Sequence, residues 1–210
     1  MRKLVVACAI VTALSLFASA RAEEAISRLP RLPEHPSDPA TAAAFDMIRA
    51  RGGQLINLHL TLGHAAKIFQ VRQMLTYALR FDAVTSRRIR ELTIMRTAQI
   101  SGSRYEMNQH IPLALACGYT RTQLDGLEKW QQPGLFEDKE RALLAYLDQA
   151  IGRNGEVDDT VFAELARFYD PQEIVELTIV ATHYVTTGLL TRSLKIQPET
   201  DGRSAAPSKC

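Results

Sequence analysis

The run Arg90-Glu91-Leu92-Thr93-Ile94-Met95-Arg96-Thr97-Ala98-Gln99-Ile100-Ser101-Gly102-Ser103-Arg104-Tyr105-Glu106-Met107-Asn108-Gln109-His110 reads as two helices joined at a glycine. The second helix begins near Ser103 and runs to Cys117, where Gly118 stops it. Ser103, Glu106 and His110 then fall at i, i+3 and i+7 and share one face, which Leu113 and Cys117 extend. A carboxylate and an imidazole four residues apart, on a stripe otherwise small or apolar, form a candidate acid-base pair partly withdrawn from water. The plain alternative is a solvated i,i+4 surface pair, worth only about 0.2–0.5 kcal/mol. On the first helix, Glu91 projects among Ile94, Met95 and Ala98, into an apolar arc. A carboxylate buried there needs a partner. Arg87 or Arg88 one turn earlier supplies one, and the cleft of Glu106 and His110 is the other candidate.

These residues carry a resemblance. Arg-Glu-Leu, then Ala98, then Ser-Arg-Tyr-Glu-x-x-x-His, then Ala114, Ala116, Gly118 and Thr120, is similar to the core of the carboxymuconolactone decarboxylase and alkyl hydroperoxidase D family. The likeness extends from about Arg31 to Pro198 and is sharpest over residues 90–120. It implies an all-α fold, an alkyl hydroperoxidase D-like helical bundle, and a homo-oligomer. The family's peroxidase branch carries Cys-x-x-Cys-x-x-x-His, with an upstream Glu and the His forming a proton relay. Here Ser103 and Glu106 stand at the cysteine positions, while Glu91 and His110 remain. The decarboxylase branch resembles Glu-x-x-x-His without the cysteine pair, a pattern that Glu106 and His110 satisfy. The implied catalytic set is Glu91, Glu106 and His110, with Ser103 and Tyr105 as substrate-binding candidates.

The ends of the chain bear on location. Met1-Arg2-Lys3, the apolar stretch Leu4 to Phe17 and the small residues up to Ala22 have the form of a secretory signal peptide over 1–22. The apolar stretch is short for a membrane span, and Glu23-Glu24 follow it, so no membrane anchor is expected. Cleavage after Ala22 removes Arg2, Lys3 and Arg21 but no acid, so the 25 basic side chains fall to 22 against 23 acidic ones. With the charge near balance, a nucleic-acid partner or a polybasic membrane contact has no support. Cys8 leaves with the leader, and no Cys-x-x-Cys exists. Cys117 then reads as a buried small hydrophobe, and Cys210 as a free or intermolecular thiol.

Between these ends, Pro30, Pro33, Pro36 and Pro39 mark residues 23–40 as an extended arm. A helical domain over 41–197 and a polar, mobile tail over 198–210 follow. Helices are expected at Thr41–Arg51, Leu55–Leu62 and Ala65–Leu79. The last of these offers Ile68, Val71, Leu75, Tyr77 and Leu79 for packing. His59 and His64, five apart, suit no single helical face for a shared metal and receive no role. Thr85 is a plausible cap for the central helix. Further helices are expected at Thr120–Trp130, Glu137–Ile151, Asp159–Phe168 and from Asp170-Pro171 to about Lys195.

An internal helical repeat also shows. Glu91-Leu92-Thr93-Ile94 recurs as Glu176-Leu177-Thr178-Ile179, 85 residues on, but Thr191 and Lys195 stand where Glu106 and His110 should recur. Chemistry therefore belongs to the first half. The expected activity is cofactor-independent and metal-free acid-base work on a small organic acid or lactone, in which His110, with Tyr105 or Ser103, donates protons and steadies an enolate. A thiol peroxidase is disfavoured for want of a cysteine pair, and a non-catalytic ligand-binding oligomer is the alternative from another class. A trimer or a multiple of it is expected.

Overall fold

Two glycines in the left-handed region, Gly102 (φ +66) and Gly118 (φ +88), bound the helix that carries Glu106 and His110. A side chain at either would be strained, so both ends of that helix are fixed by backbone chemistry. The computed structural model describes residues 27–203 and Cys210, so the expected signal peptide over 1–22 lies outside the described residues. Within them every regular element is helical. In chain order these are α1 (Pro39–Arg49), α2 (Asn57–Leu62), α3 (Ala66–Tyr77), α4 (Arg87–Ile100), α5 (Arg104–Ala116), α6 (Arg121–Asp125), α7 (Asp138–Ala150), α8 (Asp159–Leu165) and α9 (Pro171–Ser193). A short 3-10 turn, Gly63–Ala65, joins α2 to α3, and a wide turn of π type, Ala78–Asp82, follows α3.

The central helix is α4, which packs against α5, α7 and α9. Its Leu92, Met95 and Ala98 are wholly buried. One core cluster joins Leu92 and Met95 to Ala114, Leu127, Trp130 and Leu144. Another joins Ile89 to Leu143, Leu147, Leu165, Leu177 and Ala181. A separate cluster of Phe45, Ile48, Leu60 and Phe69 holds α1 to α2 and α3. Burial on this scale, about 25 cal/mol per Å² of apolar surface, is what holds short helices in place. Although α9 is 23 residues long and apolar, half of its most apolar stretch is buried in the bundle, as befits a core helix.

Several boundaries differ from the sequence reading. The cap of α4 is Ser86, whose hydroxyl accepts from the Ile89 amide at 3.3 Å, and not Thr85. Thr85 is committed elsewhere, since its amide and hydroxyl both donate to the Glu176 carboxylate. Pro39 belongs to α1 and not to the arm, because Asp38 caps that helix and a proline at its first position loses no hydrogen bond. The expected 120–130 helix breaks at Gly126 into α6 and a 3-10 turn, Leu127–Lys129. Of the residues expected to pack from 65–79, Tyr77 and Leu79 are buried but the other three are not. Ile68, Val71 and Leu75 are exposed, and Phe69, Gln73, Thr76 and Tyr77 turn inward. Periodicity identified the stripe but could not say which side meets the bundle.

The arm lies on the domain's own helical ends. The Arg28 amide donates to the Leu194 carbonyl at 3.0 Å, and the Leu32 amide to the Leu60 carbonyl at 3.1 Å. The described part of the tail is also held. Arg203 donates to the Leu55 carbonyl and to Glu34, and Glu199 is bound by three donors described below. Cys210 forms a disulfide with Cys117, 93 residues earlier in the chain, so Cys210 is not the free or intermolecular thiol expected from the sequence, and Cys117, buried as expected, is bonded as well. Cys117 is buried at the end of α5, and the bond brings the two Cα atoms to 4.8 Å.

Candidate active site

Ser103 sets the start of α5: its hydroxyl accepts from the Glu106 amide at 3.4 Å. It is buried and does not line the cavity described below, so its place is that of a cap. Gly188 of α9 lies against it. A Cβ there would stand 2.9 Å from the Ser103 Cβ, so only glycine lets α9 approach α5 so closely. From this start, Glu106 and His110 lie one turn apart on the buried face of α5, as their spacing required.

Glu91, from α4, meets His110 there. His110 Nδ1 donates to Glu91 Oε2 at 2.7 Å, and Arg87 Nη2 pairs with the other carboxylate oxygen at 2.5 Å. Glu91 is therefore held by both partners that the sequence offered. Arg88 is not one of them, because one residue of helix turns it away to Glu140 and onto the Tyr119 ring. Burial alone would raise the Glu91 pKa. The His110 charge and hydrogen bond, with Arg87 and Arg80, overcome that and hold it below the ordinary value. An ionised carboxylate only accepts, so Nδ1 carries the hydrogen, and the imidazole turns Nε2 to Glu106 Oε2, 3.7 Å away. That separation is too long for a hydrogen bond. The edge of the Tyr184 ring packs against the imidazole, with centroids 4.9 Å apart.

Glu106 faces a small cavity of about 40 Å³, bounded by α2, α3, α5 and α9. A space of this size holds a water or two. Its walls include Leu58, His59, Arg72 and Gln73 on one side and Tyr105, Glu106, Gln109 and His110 on another, with His183 and Tyr184 from α9. Glu106 Oε1 is buried without a hydrogen-bond partner. Burial raises the Glu106 pKa, against the opposing pull of His110, Arg72 and Arg80, so the carboxyl keeps its proton to higher pH than a free one. His59 and His183 are pushed down to about 3, first by burial and then by Arg72 and Arg80. Both imidazoles are neutral, and His59 Nδ1 accordingly accepts from the Ile56 amide at 3.3 Å. Tyr105 and Tyr184 are raised, chiefly by burial, and stay protonated. Among the described residues no three His, Cys, Asp or Glu side chains converge as metal ligands.

The structure thus brings Glu91, Glu106 and His110 together, puts Tyr105 in the cavity wall and leaves Ser103 outside it. Arg72, Arg80, His183 and Tyr184 were not found from the sequence. Arg72, Gln73, Thr76 and Arg80 recur at helical spacing, a polar stripe on a segment read for its apolar one. That stripe was the available signal. His59, which received no role, is also in the wall.

An all-helical bundle with a buried carboxylate-imidazole relay at one small cavity defines the class of protein. Residues 67–149, which hold α3 to α7, match the carboxymuconolactone decarboxylase family. Over that stretch the chain is similar to the carboxymuconolactone decarboxylase and alkyl hydroperoxidase D-like proteins. No curated protein matches the sequence. Among solved structures, a peroxidase-related alkylhydroperoxidase D core protein from Ralstonia eutropha JMP134 superposes with a TM-score of 0.72 at 16% identity, covering 84% of this chain and 94% of that one. A peroxidase-related protein from Silicibacter sp. TM1040 gives 0.70 at 14% identity, covering 84% and 95%. A debrominase in complex with 2,3,4-tribromopyrrole gives 0.66 at 19% identity, covering 81% and 90%. At these identities the likeness is one of fold.

Proposed function

We propose that the protein is an acid-base enzyme of the decarboxylase or isomerase type, working without a thiol on a small unsaturated organic acid or lactone. The observation that carries this reading is the relay itself: an ionised Glu91 fixing the His110 tautomer, and a buried Glu106 facing His110 Nε2 at 3.7 Å. In a 1,3-proton shift, His110 Nε2 takes a C–H proton and becomes an imidazolium beside Glu91. The electron pair moves to the substrate's carbonyl oxygen, towards the positive charge of Arg72 and Arg80, and the Glu106 carboxylic acid delivers its proton to the far carbon. Proton transfer from His110 to Glu106 restores the starting state. In a decarboxylation the C–C bonding pair moves to the same oxygen, carbon dioxide leaves, and Glu106 protonates the carbon. Each proton transfer by a placed side chain contributes about 10²–10⁴-fold. A thiol peroxidase has no counterpart here, because Ser103 is a helix cap, Glu106 stands at the second cysteine position and Cys117 is disulfide-bonded.

The test is solvent-deuterium incorporation, read by proton NMR, across a panel of small unsaturated acids and lactones. Incorporation that is lost in His110→Gln supports the reading. Incorporation that survives in His110→Gln overturns the relay, and none across the panel turns the reading to a ligand-binding protein.

Export and self-association belong to the same proposal. The leader-like 1–22 stretch and the Cys117–Cys210 disulfide support an oxidising compartment, periplasmic or secreted. Ile68, Val71, Met74 and Leu75 on α3, with Val175, Ile179 and Leu189 on α9, leave apolar side chains exposed on the single chain. A homo-oligomer, a trimer or a multiple of it, would cover them. Light scattering that reports a monomer at micromolar concentration contradicts that assembly.

A further inference from the structure

The tail sets a carboxylate against two residues of the cavity wall. Glu199 Oε1 accepts from the Asn57 amide at 2.6 Å and from the Tyr105 hydroxyl at 2.9 Å, and Oε2 accepts from Gln109 Nε2 at 2.5 Å. The Tyr105 hydroxyl is aimed by the Leu58 amide, which donates to it at 3.3 Å. Asn57 holds the same strand of tail a second time, through Nδ2 to the Gln197 carbonyl at 2.9 Å. Tyr105 and Gln109 line the small cavity beside Glu106 and His110. On the other side of Glu199 is a larger cavity of about 390 Å³, between the arm and the tail, whose walls include Arg31, Thr61 and Arg203. Glu199 therefore stands between the reactive groups and this larger space, whose wall it shares with Asn57; a further cavity of about 450 Å³ reaches Tyr105 from the α9 side.

We infer that the Asn57 amide, the Tyr105 hydroxyl and the Gln109 amide form a carboxylate-binding subsite at the mouth of the cavity, and that Glu199 is its intramolecular occupant, displaced by the carboxylate of an incoming ligand. Three donors converging on two oxygens match a carboxylate's acceptor geometry: the Asn57 amide opens α2, and the Tyr105 hydroxyl and Gln109 amide are side-chain donors from α5. The cavity behind has room for a water or two, so a ligand's carboxylate would take the place of Glu199 on these donors rather than enter beside it. Removing that carboxylate also removes a negative charge that Glu106 feels. The inference rests on the proposed function only for the identity of the cavity; its test reads binding and needs no turnover.

The test compares wild type, Glu199→Ala and Glu199→Gln in thermal melts titrated with sodium acetate and sodium butyrate, against sodium chloride at equal ionic strength. Carboxylate should raise the Glu199→Ala melting temperature saturably, by at least about fivefold more than in wild type. Glu199→Gln, which keeps the shape of the tail but not its charge, should respond in between. Adding Tyr105→Phe and Gln109→Leu to Glu199→Ala should abolish the response. Equal responses in wild type and Glu199→Ala, or a response that survives loss of both donors, overturn the inference and make Glu199 a structural tie. Should Glu199→Ala not fold, a Glu199→Gln response no larger than that of wild type does the same. A protein with no catalytic turnover can still pass every arm, so failure of this inference and failure of the proposed function are distinguishable.

Discussion

Lowering the pH from about 7.5 to about 5 should strip stability from this fold through His59 and His183. Each has a folded-state pKa of about 3, against 6.5 for a free imidazole. A base whose folded pKa is depressed contributes stability that is whole above 6.5 and is lost as pH falls from 6.5 towards 3, because the unfolded chain takes up the proton first. At pH 5 the unfolded chain gains about 1.5 pH units of proton binding per histidine, or about 2 kcal/mol each and about 4 kcal/mol together. Glu106, with its raised pKa, acts in the opposite sense, so the measurement must be differential. Urea unfolding followed by circular dichroism, at both pH values and one protomer concentration, would compare wild type with the double variant His59→Gln, His183→Gln. Glutamine keeps an acceptor for the Ile56 amide and does not titrate. Wild type should lose about 4 kcal/mol more than the double variant between the two pH values. A difference below about 1 kcal/mol would refute the reasoning, since it would mean that both imidazoles reach solvent protons without opening the cavity wall.

Other changes test other contacts. His110→Ala deprives one oxygen of a wholly buried carboxylate of its donor while Arg87 keeps the other, so chemical unfolding should show a loss of about 1–3 kcal/mol; an unchanged midpoint would contradict it. Gly188→Ala places a methyl against Ser103 and should cost about 1–3 kcal/mol by overpacking, seen in a thermal melt. Reducing the disulfide, or Cys210→Ser, frees a link across 93 residues of chain and should cost about 2–5 kcal/mol, read by unfolding with and without reductant.

Local chemistry is what made the fold legible. Ser103, Thr120 and Asp170 are caps with their partners three residues on, and Gly118 ends a helix, so those boundaries could be placed from neighbours alone. Glu106 and His110 were likewise visible as one face of one helix. What local pattern cannot give is the identity of the facing surface. On α3, Ile68, Val71 and Leu75 were read as core because they are apolar, yet the bundle faces Phe69, Gln73, Thr76 and Tyr77, and Arg72 and Gln73 line the cavity. Choosing between Arg87 and Arg88 needed the helix's rotation relative to α5, and the pairing of Cys117 with Cys210 needed the path of a distant tail. Glu199 was hidden for the same reason: its three donors lie 90 or more residues away in sequence.

The repeated carboxylate has a consequence for how the two halves depend on each other. Glu91 and Glu176 occupy equivalent places in Glu-Leu-Thr-Ile, yet Glu91 points inward to an imidazole, and Glu176 receives the Val84 and Thr85 amides at 3.0 Å. The second carboxylate thereby ties down the turn from which the first one's helix departs. The two carboxylates thus divide the labour: one fixes an imidazole, and the other is the jig that holds the first one's helix in register. The two segments are not interchangeable: placing an acid and a histidine at Thr191 and Lys195 would add side chains to a helix whose own glutamate is already engaged in clamping the Val84–Thr85 turn.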